Sequence, residues 1–349
     1  MVSQHDSYDT ENQMLDGEKM QQMVFGSLIT QSIIYVAAKL GIADLLKDGA
    51  KSCQELAQST EADPDSLYRV MRALCSIGIF TEIENRCFQL TPMAEYLRSD
   101  VPGSLRAMAI MYGCESWRWQ PWGNILYSVK TGKQAFDHVF GMPVFSYLAQ
   151  QPEAGAIFDA CMTSFTSSYI NSLISSYDFS SIHTLIDVGG GNGTLMAAIL
   201  QKYPTVKGVV YEQEQVAEGA KKYLEARELD GRWQVMAGNF FANVPSGGDA
   251  YIMKHIIHDW DDESCIKILQ NCRNVMPDNG KVLVVENVIG NINEPSPGKF
   301  LDLEMLIMTS GGRERTATEF QELFAAAGLQ LTNIIPTGSQ VSVLECVKG

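Results

Sequence analysis

Two of the chain's five histidines lie three residues apart in KHIIHDWDDE, residues 254–263, with acids crowded just behind them. A neutral imidazole, with an ordinary pKa near 6.5, can take a proton from a hydroxyl at neutral pH. The strand-like DAYIMKH and the helix-like ESCIKIL on either side put His258 in the loop beyond the carboxyl end of a strand. Parallel sheets keep their sites there. His255 ends the strand itself, either lining an acceptor pocket or simply hydrogen-bonded in place. A base of this kind needs a carboxylate to orient its other nitrogen. Glu286 ends the next strand, KVLVVE, and should point into the same crevice, where a buried acid without a task would be costly. Asp259 either shares the site or caps the helix that follows. Asp261, Asp262 and Glu263 suit the first turn of that helix and its dipole, and no chemistry is assigned to them.

A second constellation is LIDVGGGNGTL, residues 185–195, which follows a strand and opens a helix. Glycines let the backbone turn tightly and approach a ligand closely. A dinucleotide fingerprint starting at Gly189 would need glycine at 194, where Thr194 stands. What fits is GxGxG at Gly189, Gly191 and Gly193, the arrangement of S-adenosylmethionine-dependent methyltransferases. About twenty residues on, an acid should close the next strand and hold ribose hydroxyls. Glu212 closes GVVYE, and a carboxylate can accept both hydrogen bonds of a vicinal diol.

These residues need a scaffold. From about residue 180, short β-branched runs alternate with helical stretches, which predicts a mostly parallel sheet covered on both faces, with the last two strands free to pair antiparallel. Before that point the chain is mainly helical. The organisation expected is a loose tail over 1–15, a winged-helix-like domain over 16–105, linker and pocket helices over 106–180, and a Rossmann-like catalytic domain over 181–349. Met20 to Leu46 reads as one helix, apolar on more than one face, and so buried in its own core or against a second subunit. Two short amphipathic helices follow, then a hairpin with its turn near Asn85. A winged helix suggests DNA. However, DPDSLYRVMRALCSIG carries only Arg69 and Arg72 as bases, beside Asp63 and Asp65, and the chain's net charge is −15. Both oppose contact with phosphates, so nucleic acid is not an expected partner. The eight cysteines show no CxxC pair, which predicts neither a disulfide framework nor a zinc site. The N-terminus does not read as a targeting segment, and no apolar run is long enough to cross a membrane, so a reducing cytoplasm is the expected location.

DVGGGNG, KHIIHDWDDE, NVMPDNGKVLVVE and GGRERTATEF, together with the N-terminal pattern, span nearly the whole chain. With them it resembles the S-adenosylmethionine-dependent O-methyltransferases related to plant caffeate and bacterial polyketide enzymes. The resemblance implies a homodimer joined through the N-terminal domains. It implies His258 as general base, paired with Glu286 and with Glu314 of GGRERT. From spacing alone, Glu314 between Arg313 and Arg315 would read as a solvated charge cluster. Cofactor contacts carried over are Asp187, Gly189, Gly191, Gly193, Glu212, Asn239, Phe240, Lys254 and Thr166. The family usually has Asp where Glu212 and Asn239 stand, which bears on affinity rather than on the site. Phe158, Met162, Met305 and Met308, with His255 and Asp259, fall where the family lines its acceptor pocket, although by spacing the first four are core. Trp117, Trp119 and Trp122 close the cavity or bridge the domains, the second being preferred.

The chemistry implied is in-line methyl transfer to a hydroxyl of an aromatic or polyketide-like small molecule, with no metal. Three alternatives use the same motifs. They are a family member that keeps the cofactor for a hydroxylase or pericyclase reaction, a cofactor-sensing winged-helix regulator, and a nicotinamide dehydrogenase. The set His258, Glu286, Glu314 opposes the first two, and the missing third glycine opposes the last.

Overall fold

The computed structural model describes residues 4–349, with side chains from Leu15 onward. The chain forms two compact units, the first ending at Trp119 and the second running from Gln120 to Gly349. Residues 106–119 thus stay with the first unit, and the helices from 120 to 180 join the second. Packing decides this. Tyr169, Leu173 and Ile174 of the helix Pro152–Ser176 enter the same buried cluster as Leu185, Ile252 and Leu283.

In the first unit a helix spans Gln4–Lys39. The expected tail is thus helical from Gln4, and residues 1–3 lie outside the described residues. The stretch holds no proline and is rich in Glu, Gln, Met and Lys, which favour helix. The helix ends at Lys39, short of Leu46, because Gly41 turns left-handed at φ +67°, and Ile42–Leu45 forms a separate short helix. Ser52 and Glu55 make a capping box on Cys53–Thr60. Asp63 caps Pro64–Ser76, with Pro64 in the first turn, where its missing N–H costs nothing. Strands β1 (Lys51–Ser52), β2 (Phe80–Glu82) and β3 (Cys87–Leu90) form an antiparallel sheet in the order β1-β3-β2. The predicted hairpin is β2–β3, with Asn85 and Arg86 at positive φ in its turn. Two-residue β1 is too short to show a period. Leu56, Met71, Leu74, Phe80 and Phe88 fill the core. The long helix meanwhile leaves Met20, Met23, Val24, Phe25, Leu28 and Ile29 exposed.

The second unit is built on β4 (Thr184–Val188), β5 (Lys207–Glu212), β6 (Trp233–Ala237), β7 (Ala250–Lys254) and β8 (Lys281–Glu286). A short pair, β9 (Val288–Ile289) and β10 (Arg315–Thr316), stands apart, and β11 (Leu329–Pro336) and β12 (Ser342–Lys348) end the chain. The main sheet has the order β11-β12-β8-β7-β4-β5-β6, parallel from β6 to β8, with β12 antiparallel to both its neighbours. This is the α/β architecture expected, closing antiparallel strands included. Alternate residues sort to opposite faces: Leu283 and Val285 join one buried cluster, Val282 and Val284 the other. Each such fully buried aliphatic side chain contributes about 1.5–3 kcal/mol. The strand order reverses beside β4, so β4, β5, β7 and β8 open their carboxyl ends onto one crevice, the usual ligand position of such sheets. No helix among the described residues is long and apolar enough to cross a membrane.

Candidate active site

At the end of β4, Gly189 sits at φ +71°, and a Cβ there would lie 2.5 Å from Ile256 Cδ1. Gly190, which the sequence reading passed over, is needed as well, since its Cβ would lie 2.7 Å from the Asp187 carboxylate. Gly191 and Gly193 also take positive φ, and nothing stands within 4 Å of a Cβ on Gly191. Glu212, closing β5, accepts the Gly191 N–H at 3.0 Å through Oε2 and the Gln213 N–H at 2.8 Å through Oε1. Each oxygen keeps acceptor capacity for a diol. Burial raises the Glu212 carboxyl above its usual range, against those two N–H groups. Asp187 is buried, and its Oδ2 has no hydrogen-bond partner. Burial pushes this carboxyl up to about 7, against the pull of Lys254. Burial in turn lowers the Lys254 ammonium, opposed by Asp187 and Glu286. A cradle without Cβ atoms, an orphaned buried carboxylate and a spare carboxylate fork suit a nucleoside carrying a cationic amino-acid tail. Asn239 Oδ1 accepts the Phe241 N–H at 2.9 Å, so this side chain also shapes its own loop. Phe240 packs edge-on to Trp260, 6.2 Å between rings. Thr166 is buried on the helix Pro152–Ser176 and bonds to Met162 O, while its neighbour Thr163 takes the Asn192 amide of the glycine loop at 2.8 Å.

The second cluster lies at the ends of β7 and β8. His258 Nδ1 is 2.7 Å from Glu314 Oε1 and 3.6 Å from Glu286 Oε2. A sequence separation of 56 residues closes to hydrogen-bond distance. Glu314 and Arg315 are both buried, against the solvated cluster that spacing alone allowed. Glu286 works chiefly through its other oxygen. Oε1 accepts the backbone N–H groups of Ile256, Ile257 and His258 at 3.1, 3.0 and 3.3 Å. It therefore holds the turn Ile257–Asp259 as well as facing the imidazoles. His255 has φ +53°, rare for a residue with a side chain and costing on the order of 1–3 kcal/mol. Its N–H to Val285 O at 3.1 Å helps hold it there, and its Nδ1 stands 3.3 Å from Glu286 Oε2 without a hydrogen bond between them. Its ring lies 4.8 Å from that of His258 and edge-on to Tyr169. His255, His258 and Glu286 offer ligand atoms within 4.8 Å of one another, a spacing a metal ion could bridge. Nδ1 of His258, however, is already engaged by Glu314. Asp259 does not cap the next helix. Asp261 does, accepting the Ser264 N–H at 2.8 Å, while Asp259 Oδ1 stands 3.6 Å from His258 Nε2.

The electrostatics separate the two histidines. Burial alone would lower His258, but Glu286, Asp259 and Glu314 outweigh it and raise its pKa to about 10. Burial lowers His255 to about 4, with Glu286 opposing too weakly to reverse it. Burial would raise Glu286, yet the histidines and the backbone N–H groups hold it near 2. Burial raises Asp259 to about 7, against the pull of His258. His258 is the imidazole that carries a proton, and His255 the neutral one.

Of the side chains carried over for an acceptor pocket, Phe158, Met162, Met305 and Met308 are apolar. Phe158 lies edge-on to Phe145, and Phe145 stacks on Trp260 at 5.8 Å. Met162 lies one turn further along that helix. Met305 and Met308 are buried on the helix Pro297–Met308, whose Asp302 accepts the Glu314 N–H at 2.9 Å. Trp122 Nε1 donates to Glu304 Oε2 of that same helix at 2.7 Å, and Trp117 is buried in the first unit. Trp260, Phe145, Tyr169, Asp302 and Arg315 also stand around the site without a signal in the sequence. Trp260 lies within KHIIHDWDDE and Arg315 within GGRERT, but nothing in a local pattern separates them from ordinary core and surface residues.

Fold and site together define a methyltransferase that uses S-adenosylmethionine. Residues 122–330 match the O-methyltransferase domain and residues 22–100 the O-methyltransferase dimerisation domain, and the chain belongs to that family. It is 45% identical over 324 residues to the phenazine O-methyltransferase PhzM of Lysobacter antibioticus, covering 93% of this chain and 94% of that one. It is 34% identical to the 8-amino-8-demethylriboflavin N,N-dimethyltransferase of Streptomyces davaonensis, covering 90% of each. Among solved structures it resembles NcsB1, an O-methyltransferase from neocarzinostatin biosynthesis determined with S-adenosylmethionine and 2-hydroxy-5-methyl naphthoic acid. There the TM-score is 0.80 at 32% identity, covering 93% of this chain and 98% of that one.

Proposed function

We propose that this enzyme methylates a hydroxyl on a flat, fused aromatic acceptor, with His258 as general base. The observation that carries the reading is the 2.7 Å contact between His258 Nδ1 and Glu314. A carboxylate can only accept, so the proton of the neutral imidazole stays on Nδ1 and the lone pair on Nε2. When bound, S-adenosylmethionine supplies a methyl already electrophilic on its sulfonium. His258 Nε2 takes the hydroxyl proton as the oxygen–carbon bond forms and the carbon–sulfur bond breaks. Nε2 must first be free of its own proton, which the surrounding carboxylates favour keeping. A cation in the neighbouring cradle opposes a second positive charge, so filling it favours the neutral imidazole. Asp187, Glu212 and Lys254 line the cradle, with Asn239, Phe240 and Thr166 around it. Phe158, Met162, Met305 and Met308 supply the apolar acceptor walls, and His255 and Asp259 their polar edge. Phenazine and naphthoic acid in the names of similar proteins support acceptors of that size. Transfer to an aromatic amine is the second reading, favoured by the similarity to a riboflavin N,N-dimethyltransferase. Incubation with methyl-labelled S-adenosylmethionine and matched panels of fused phenols and anilines tests both. Label in phenols supports the first reading, label confined to anilines the second, and binding without transfer overturns both.

The state of His258 makes a pH prediction. Glu314 raises its pKa, so removing that charge frees the neutral base at lower pH. The acidic limb of kcat/KM in Glu314→Gln should move down by about one pH unit or more. An unmoved limb in pH–rate profiles would separate Glu314 from the base.

We further propose a homodimer built through a winged-helix-like first unit. The exposed apolar row on the helix Gln4–Lys39 and the dimerisation-domain match support it. The eight free cysteines suit a cytosolic enzyme. Phe25, 72% exposed, lies in that row, and Phe25→Glu should yield monomers by light scattering. A mass still equal to two chains would count against this face.

A further inference from the structure

The geometry points to Arg315 as a positioning residue for methyl transfer, setting the direction of His258 Nε2 by holding the turn that carries it. This rests on the reading of His258 as the base. A guanidinium with 0% exposure is expensive unless every donor is used. Here Nη1 donates to Ile257 O at 3.0 Å and to Arg313 O at 3.3 Å. Nη2 donates to Trp260 O at 3.0 Å and to Asp262 Oδ1 at 2.7 Å, and Nε to the same Asp262 oxygen at 3.1 Å. The carbonyls of Ile257 and Trp260 bracket His258 and Asp259. From the other side Glu286 Oε1 takes the N–H groups of Ile256, Ile257 and His258. The turn is thus gripped at its amides by an anion and at its carbonyls by a cation.

The two grips belong to one frame. Glu286 ends β8 and leads within two residues into β9, which pairs with β10 so that Val288 stands opposite Arg315. Arg315 directly follows Glu314, the partner of His258 Nδ1. One short ladder therefore fixes both carboxylates and the guanidinium relative to the imidazole. A planar fork suits this work, because it reaches two carbonyls and a carboxylate at fixed angles, which a lysine ammonium cannot.

Arg315→Lys keeps the charge and loses the fork. Its kcat should fall about 10- to 100-fold, as small misplacements of reacting groups do. The KM values for both substrates and the far-ultraviolet circular dichroism should stay near wild type. A looser turn lengthens the Glu314 contact, so the acidic limb of the rate profile should also move to lower pH. In the Glu314→Gln background the same substitution should cost less than in wild type. Asp262→Asn, at a half-exposed partner of the fork, should shift the limb the same way by less, and it serves if Arg315→Lys does not fold. Losses that are additive with Glu314→Gln, with an unmoved limb, would overturn the proposal and leave Arg315 a residue of the core. His258→Ala measured alongside separates the two readings. If that variant keeps wild-type turnover, the base assignment fails. If it collapses while Arg315→Lys keeps the wild-type limb, only the positioning role fails.

Discussion

The His258→Ala variant is expected to lose about 10²- to 10⁴-fold in kcat, the usual contribution of a positioned base, while its affinity for S-adenosylmethionine changes little. The proposed cofactor cradle stands mainly on β4 and β5, with Lys254 from β7, and His258 touches neither β4 nor β5 in the contacts described. Labelled-methyl initial rates, with calorimetric binding of the cofactor, check both halves. Turnover within tenfold of wild type would remove His258 from the mechanism. The substitution also leaves Glu286, Glu314 and Asp259 near one another without their shared cation, which makes ionising them all unfavourable. Stability should therefore respond to pH. In the wild type the raised pKa of His258, about 10, means its contribution is complete below about pH 6.5 and is withdrawn as pH rises towards 10. The variant lacks that contribution and should lose further stability as its crowded carboxylates are forced to ionise. Thermal melts across pH 6 to 9 read this directly, and rates are best compared at the pH where the variant is fully folded.

Glu212→Ala is the second large effect expected, and it falls on binding rather than chemistry. The carboxylate keeps acceptor capacity on both oxygens after bonding Gly191 and Gln213. Charge-assisted hydrogen bonds are worth roughly 1.5–3 kcal/mol, so the Kd for S-adenosylmethionine should rise about 10- to 150-fold. Because Glu212 also anchors the Gly191 amide, part of the loss should come from a looser glycine loop. Glu212→Asp, the residue usual in the family, should recover most of the affinity, since it keeps the charge and the fork. At saturating cofactor the kcat of Glu212→Ala should stay within a few fold of wild type. A large fall in kcat with unchanged Kd would contradict a cofactor role.

Much of the second unit was legible because its signals are local. Between their charged ends, runs such as KVLVVE and AYIMK are apolar without alternation, as strands covered on both faces must be, and they are the strands found. The glycine spacing in DVGGGNG marks a tight left-handed turn, and a side-chain atom lies within 3 Å of where a Cβ on Gly189 would stand. Whether Asp259 caps the next helix could not be read locally, because Asp259 and Asp261 look alike in sequence and only the backbone path decides which side chain reaches the free N–H of Ser264.

The limits follow the same logic. A helix's composition does not say which core it enters, and the helix Pro152–Ser176 packs on a sheet that begins after it. Arg313-Glu314-Arg315 looks like solvated charge in one dimension, since neighbouring opposite charges usually are. By itself the sequence determined the strands, the glycine turn and the histidine placed beyond a strand end, because periodicity, the lack of a Cβ and strand direction act over a few residues. Only the tertiary structure decided which carboxylate meets His258, that Glu286 holds backbone as well as facing imidazole, and that Arg315 is buried. Those contacts join positions 28 to 58 residues apart. A charge's environment is set by what folds against it, not by what precedes it in the chain.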